Sequence, residues 1–291
     1  MFNLLKAKMF RSGFALASRV VWRRHRSNVR VEDHVINKGQ LSVRCYRPEG
    51  DDAAPVILYF HGGGFVIGDV ESYDGMCRDL CEKSRYIVVS VDYRRAPEHR
   101  FPAAADDAQA ALAWLVDQAA SLNISTDRLY IAGDSAGGNL AAVTTLAARD
   151  QFPGLVKGQL LIYPVTAHYA AGFASYDECA KGYLLTRKQM IWFWDTYLGS
   201  AYASGYSDPR ATPLDRDDLA GLPSTLVITA ALDPLRDEGR AFVDKLRDVG
   251  VAVTHAEYEG CQHGFIGIMG PTESHNRAME DMVAWLRHLE L

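Results

Sequence analysis

Short runs of Val, Ile and Leu alternate along this chain with longer segments of helical periodicity, and this alternation restricts the possible folds most strongly. The central runs are apolar at nearly every position, which is typical of strands buried on both faces of a sheet. Strand–helix alternation predicts a mostly parallel sheet with helices on both faces. The expected strands are 29–35, 41–46, 56–60, 87–91, 128–132, 158–163, 225–230 and 253–258. The expected helices between and after them are 73–84, 103–121, 136–149, 237–249 and 273–289.

Two regions depart from this alternation. The first two strands have no helix between them, which predicts an antiparallel edge. The segment 166–213 carries ten aromatic side chains, too many for a solvated loop, and we expect it to form helices above the sheet. We therefore expect an N-terminal cap helix with the first strands in 1–45, an α/β core in 46–165 and 214–291, and an inserted helical cap in 166–213.

The N-terminal segment is basic and rich in apolar residues. Eight Lys and Arg residues precede the first acid, Glu32, and apolar residues recur at mixed helical spacing. We interpret it as a helix packed onto the body of the protein; a membrane-binding amphipathic helix and an organelle-targeting peptide are the alternatives. No apolar run reaches the roughly 18 residues of a spanning helix, and no A-x-A site follows a long apolar core, which argues against secretion.

The bulk composition argues against several classes of partner and cofactor. The net charge of −5 gives no indication of nucleic-acid binding. The five cysteines are odd in number and lack CxxC spacing, so buried thiols in a reducing, cytoplasmic compartment are expected rather than disulfides or a zinc site. No HExxH pattern occurs, and we predict no metal site.

The segment GDSAGGN, at 133–139, lies where a predicted strand gives way to a helix. Gly133 and Gly137 leave room for a sharp turn that exposes the hydroxyl of Ser135, and the N–H of Ala136 is left free in the first helical turn. This is the nucleophile-elbow pattern G-x-S-x-G. A phosphate cradle is the first alternative, but GxGxxG and GxxxxGK[ST] are both absent. The second is an ordinary turn in which Ser caps the helix.

A serine nucleophile needs a base, an orienting acid and an anion hole. His263 follows the last predicted strand in a glycine-bounded loop and is our candidate base, with a structural loop histidine as the alternative. Asp233 follows the strand 225–230 and is our candidate acid. Its neighbours Asp237 and Glu238 better fit acids at a helix start, where free N–H groups and the helix dipole stabilise them.

The anion hole should follow an earlier strand. The sequence LYFHGGGF, at 58–65, places three glycines directly after such a strand, where the backbone can approach a substrate oxygen closely. We expect the N–H groups of Gly63 and Gly64, together with that of Ala136, to bind the oxyanion. Phe65 is expected to line an apolar substrate pocket.

Together these motifs resemble the hormone-sensitive-lipase-like esterases of the α/β-hydrolase superfamily. The resemblance rests on HGGGF at 61–65, GDSAGGN at 133–139, DPLRDEG at 233–239 and HGF at 263–265. The segment DYRRAPEHRFPAAADD at 92–107 also matches, except that Arg95 replaces the usual leucine. The match covers about residues 30–290, and the order Ser, Asp, His is that of α/β hydrolases. It implies an α/β-hydrolase fold, with a mostly parallel eight-stranded sheet and a helical cap. It also implies ester hydrolysis without a cofactor, and a homodimer formed through the last strand or helix.

We therefore expect a serine carboxylesterase that cleaves short- to medium-chain esters of small molecules through an acyl-enzyme. Three alternatives remain open. A lipase could dock through the basic N-terminal helix, and a deacetylase, amidase or lactonase could use the same triad. A non-catalytic ligand receptor could share the fold, although His263 in its expected loop argues against it.

Overall fold

The computed structural model describes residues 2–25, 27–50, 53–199 and 208–290. Its strands are β1 (Arg30–Ile36), β2 (Leu41–Arg47), β3 (Ala54–Phe60), β4 (Ile87–Asp92), β5 (Ile124–Asp134), β6 (Val156–Ile162), β7 (Ser224–Leu232) and β8 (Val253–Gln262). Its helices are α1 (Phe2–Trp22), α2 (Asp74–Ser84), α3 (Ala103–Gln118), α4 (Ala136–Gln151), α5 (Ser175–Glu178), α6 (Arg187–Leu198), α7 (Arg236–Asp248) and α8 (Glu273–His288).

Within the described residues, eight strands form one sheet in the order β1-β2-β4-β3-β5-β6-β7-β8. The pairs β1–β2 and β2–β4 are antiparallel, and every other neighbouring pair is parallel. The expected α/β-hydrolase fold is thus confirmed, as is the antiparallel edge. Each expected strand and helix of the core is present, with ends that differ by a few residues because the ends of secondary-structure elements are weakly marked in sequence.

The central strands explain where a site can form. All residues from Val56 to Phe60 of β3 are fully buried, because helices cover both faces of the sheet. In the parallel register, Phe60 at the end of β3 pairs with Gly133 near the end of β5. The loops that follow these two strands therefore leave the sheet side by side at its carboxyl edge, where ligands of open α/β sheets bind.

The N-terminal helix α1 packs onto the body of the protein. Its Arg11 donates to the carbonyl oxygens of Val66 and Ala96 and forms a two-pronged ion pair with Glu98. Its Phe10 stacks on Trp192 of α6 at a ring distance of 5.2 Å. These contacts join α1 to the inserted segment above the carboxyl edge of the sheet.

The division into a core and a cap at 166–213 remains a prediction. Two of the ten aromatic residues that suggested a cap, Tyr202 and Tyr206, lie outside the described residues. No helix of the described part of the chain is long and apolar enough to cross a bilayer. All five cysteines are buried and carry free thiols.

Candidate active site

The turn between β5 and α4 holds Ser135 in a conformation that few side chains adopt. Its backbone has φ 57° and ψ −119°, a strained combination that is typical of a nucleophile elbow. A Cβ at Gly137 would collide with the carbonyl oxygen of Phe60, and one at Gly133 would collide with that of Gly137. Glycine is therefore required on both sides of the serine, as the motif predicted.

Three side chains that are far apart in sequence meet at this turn. The Ser135 Oγ lies 2.9 Å from Nε2 of His263, and Nδ1 of His263 lies 2.6 Å from Oδ2 of Asp233. The three residues are 6%, 5% and 0% exposed, respectively. Hydroxyl, imidazole and carboxylate thus form a continuous hydrogen-bonded chain that is almost completely shielded from water.

The sheet supplies the base and the acid from neighbouring strands. Asp233 directly follows β7 and His263 directly follows β8, and these two strands pair in parallel. The N–H of Leu235 donates to the second oxygen of Asp233 at 2.9 Å, which fixes the carboxylate. The imidazole also packs against Tyr163 at a ring distance of 4.7 Å. Both side chains are therefore held in place before any substrate binds.

The glycine loop after β3 follows a left-handed path. Gly63, Gly64 and Phe65 have φ values of 114°, 60° and 61°. The N–H groups of Gly63, Gly64 and Ala136 have no hydrogen-bond acceptor among the described residues. The structure thus leaves these three donors available beside Ser135, where an oxyanion would need them.

Asp134, the residue before Ser135, was not singled out by the sequence motifs. Its Oδ1 accepts hydrogen bonds from the Gly62 N–H at 2.8 Å and the Tyr59 hydroxyl at 2.7 Å. Its Oδ2 accepts from the Tyr73 hydroxyl at 2.9 Å. Burial raises the pKa of this carboxyl, and these hydrogen bonds oppose the rise. The sequence does contain a signal for this role, because an acidic residue at the end of an apolar run, directly before the serine of the elbow, is expected to be buried and hydrogen-bonded.

His61, which starts the glycine run, is a packing residue. Its ring stacks on Tyr93 at 4.2 Å, and the Tyr93 hydroxyl donates to the His61 carbonyl oxygen at 2.7 Å. Burial lowers the pKa of His61 to about 4, so the ring is neutral at pH 7. The glycine loop is thus anchored at its start by His61 and Asp134 together.

A cavity of about 460 Å³ lies directly above Ser135. Its floor contains the serine, the histidine and the glycine loop. Its walls come from α1 and from the segment that contains α6: Met9, Phe10, Gly13, Phe14, Ala17, Leu184, Leu185, Gln189, Met190 and Phe193. These walls are mostly apolar, so the site can accept hydrophobic groups on both sides of a scissile bond.

Phe65, which was expected to line the substrate pocket, does not line the cavity above Ser135. Its ring is 2% exposed and stacks flat on Tyr197 of α6 at 3.8 Å, and it is not among the residues that line the cavity. The left-handed backbone of the loop carries this side chain beneath α6. The sequence marked an apolar residue after the glycines but could not show which way it points.

Known proteins that are similar to this chain include alpha/beta hydrolases and esterases. A family model for the alpha/beta hydrolase fold matches residues 57–267. The carboxylic ester hydrolase LipN of Mycobacterium tuberculosis is 39% identical over 79% of this chain, and the match spans 62% of LipN. An ethyl acetate hydrolase of Pseudomonas putida is 39% identical over 78% of this chain and 71% of its own length. A hyperthermophilic esterase from the archaeon Pyrobaculum calidifontis superimposes with a TM-score of 0.91 at 38% identity, covering 98% of this chain and 94% of its own.

The chain belongs to the hormone-sensitive-lipase-like esterases. The family expected from the sequence motifs is thereby confirmed, and the protein is a carboxylic ester hydrolase. The esterase shares its overall fold with the archaeal enzyme over nearly the full length of both chains.

Glu238 of the esterase lies in the first turn of α7, as expected, and it is also fully buried. Its Oε1 accepts from the N–H groups of Thr166 and Ala167 at 2.7 and 3.2 Å. Its Oε2 accepts from the Tyr176 hydroxyl at 3.0 Å. Burial raises the pKa of Glu238 to about 8. An acid in a first helical turn looks the same in sequence whether it is exposed or buried, so only the tertiary structure shows this link.

We predict that Asp134→Asn lowers kcat of the esterase by about tenfold or more with little change in KM, because an amide cannot accept from all three donors and the glycine loop loses its anchor in the transition state. Steady-state kinetics on 4-nitrophenyl acetate would measure this. Tyr59→Phe removes a single donor and serves as the milder control. A lowered melting temperature with unchanged kcat would contradict the prediction.

We also predict that Glu238→Gln gains stability relative to the native esterase as pH rises. Because the pKa of Glu238 is raised from 4.5 to about 8, the folded chain retains a proton that the unfolded chain has lost. The contribution of this group to stability is therefore present at low pH and falls as pH rises through that window. Melting temperatures from pH 5 to pH 9 would test this; parallel curves for both proteins would contradict it.

Proposed function

We propose that the esterase hydrolyses small, uncharged carboxylic esters with Ser135 as nucleophile, His263 as base and Asp233 as orienting acid. One observation carries the proposal: His263 is hydrogen-bonded to the serine through one ring nitrogen and to the carboxylate through the other. This arrangement activates a hydroxyl that is a weak nucleophile by itself. Nothing in the reaction requires a metal or an organic cofactor.

The reaction proceeds in two acyl transfers. Ser135 Oγ attacks the ester carbonyl carbon while Nε2 of His263 takes the hydroxyl proton, and Asp233 stabilises the resulting imidazolium. The carbonyl oxygen becomes an oxyanion, which the N–H groups of Gly63, Gly64 and Ala136 bind. The intermediate collapses as His263 gives its proton to the departing alcohol oxygen. Water then attacks the acyl-enzyme by the same route, which releases the acid and restores Ser135.

The cavity supports short- to medium-chain substrates. Its volume of about 460 Å³ is enough for a small ester with a modest acyl chain. Among the described residues that line it, none is Lys, Arg or Glu, and Asp134 is already engaged by its three donors. Substrates that carry a charge near the scissile bond would lose hydration without gaining a partner, so neutral esters are favoured.

Two finer expectations also stay predictions. A homodimer through the end of the chain is compatible with the position of β8 at an edge of the sheet, since an edge strand offers unpaired backbone groups. A cytoplasmic location is compatible with five free, buried thiols. Sedimentation analysis of the purified chain would test the first.

Ser135→Ala should lower kcat on 4-nitrophenyl acetate by several orders of magnitude, on the order of 10⁶ by analogy with other serine hydrolases. It should also abolish covalent labelling by an organophosphate. Ser121→Ala, at an exposed serine, is the matched control and should behave like the native chain. Near-normal turnover of the Ser135 variant would refute the assignment of the nucleophile.

Gly13→Leu should shorten the preferred acyl chain. Gly13 lies inside α1, where glycine costs about 1 kcal/mol relative to alanine, yet a Cβ there would meet no atom within 4 Å. Since Gly13 lines the cavity, its missing side chain leaves room for substrate. We expect kcat/KM for 4-nitrophenyl octanoate to fall about tenfold relative to the acetate.

Ser12→Leu is the matched control for this change, because Ser12 is exposed and does not line the cavity. It adds the same side chain one position away in the same helix. An equal shift in chain-length preference for both variants would show that the helix, and not the free volume at Gly13, causes the effect.

A further inference from the structure

The outer face of α1 carries an apolar stripe that the body of the protein leaves uncovered. Leu5, Met9, Leu16 and Val20 are 62%, 68%, 65% and 52% exposed. They are separated by four, seven and four residues, so they lie on one side of the helix. The opposite side is anchored by the fully buried Ala7 and by the Arg11 contacts. Packing onto the body therefore accounts for only one side of this helix.

The charged side chains that α1 itself carries are all basic. Residues 2–25 contain six Lys and Arg residues and no acid, although the whole chain has a net charge of −5. Arg11 is paired with Glu98. Lys8, Arg19 and Arg23 are exposed and have no carboxylate partner among the described residues. An apolar stripe bordered by unpaired cations complements a surface that has an anionic outer layer over an apolar interior.

The stripe is continuous with the mouth of the active-site cavity. Met9 belongs to the stripe and also lines the cavity. Phe10 and Leu184 line the cavity as well, and are 38% and 45% exposed. The entrance thus has an apolar rim on two sides, which leads directly from the outer face of α1 toward Ser135.

We propose that this face of α1 docks the esterase onto anionic phospholipid surfaces. The stripe inserts among the acyl chains, the flanking Lys and Arg side chains contact the lipid phosphates, and α1 lies in the plane of the interface without crossing it. The cavity mouth then opens toward the lipid, so apolar esters dissolved in the membrane reach Ser135 without crossing water. Docking depends on this surface alone and does not require the acyl-transfer chemistry of the proposed function.

Sedimentation of the full chain with phospholipid vesicles tests this docking. At low ionic strength, we expect the protein to bind vesicles that contain about one third phosphatidylglycerol. We expect the fraction bound to pure phosphatidylcholine vesicles to be at least about fivefold lower. For the triple variant Leu5→Ser, Leu16→Ser, Val20→Ser, the fraction of protein bound to the anionic vesicles should fall at least about tenfold below that of the native chain. Its hydrolysis of soluble 4-nitrophenyl acetate should stay within about twofold of the native rate, since none of the three residues lines the cavity.

Val35→Ser is the matched control, because Val35 is 69% exposed on the edge strand β1 and does not belong to α1. It should bind vesicles like the native chain. If the triple variant fails to fold, Lys8→Glu with Arg19→Glu tests the charge component and should weaken binding to the anionic vesicles with the stripe intact. Ser135→Ala should bind normally, so a failure of the proposed chemistry would be distinguishable from a failure of docking.

Two results would overturn the proposal. The first is equal binding of the native chain and the triple variant, or no binding of the native chain to anionic vesicles. The second is that the native chain does not bind vesicles and forms a dimer in solution, whereas the triple variant is monomeric. That second result would assign the stripe to contact between two copies of the chain.

Discussion

The close parallel pairing of β3 with β5 is the constraint on which the active site depends. It brings the glycine loop and the nucleophile turn so near each other that Gly137 faces the carbonyl oxygen of Phe60 without room for a Cβ. The proposed oxyanion donors and Ser135 come from these two loops. Their relative position is therefore set by backbone packing, which is stiffer than a contact between side chains.

Two buried carboxylates reinforce this arrangement in different places. Asp134 ties the elbow to the start of the glycine loop, and Glu238 ties the start of α7 to the chain that follows β6. Burying such groups is costly, and burial raises the pKa of both. Each accepts hydrogen bonds from three groups on the surrounding segments, so each holds those segments in one geometry.

Helix α1, which lies above the sheet, has a packed inner face and an exposed outer face. Its inner face supplies walls to the cavity and is fixed by Arg11, while its outer face is apolar and basic. The sequence left a packed helix and a membrane-binding helix as alternatives. The structure shows that packing occupies one face only, so the two interpretations describe different sides of one element, and the second stands as our proposal.

What the sequence determined by itself was the alternation of strands and helices, the antiparallel edge, the glycines around Ser135, and the candidates His263 and Asp233. These features can be predicted locally, because buried strands, sharp turns and the loops that follow strands each depend on residues that are close together in sequence. Only the tertiary structure decided that Phe65 packs under α6 and that Glu238 is buried beside the site. It also decided that Asp134 holds Gly62 and that the apolar stripe of α1 is uncovered. Each of these features depends on contacts with segments that are distant in sequence, and such contacts cannot be predicted from a local sequence pattern.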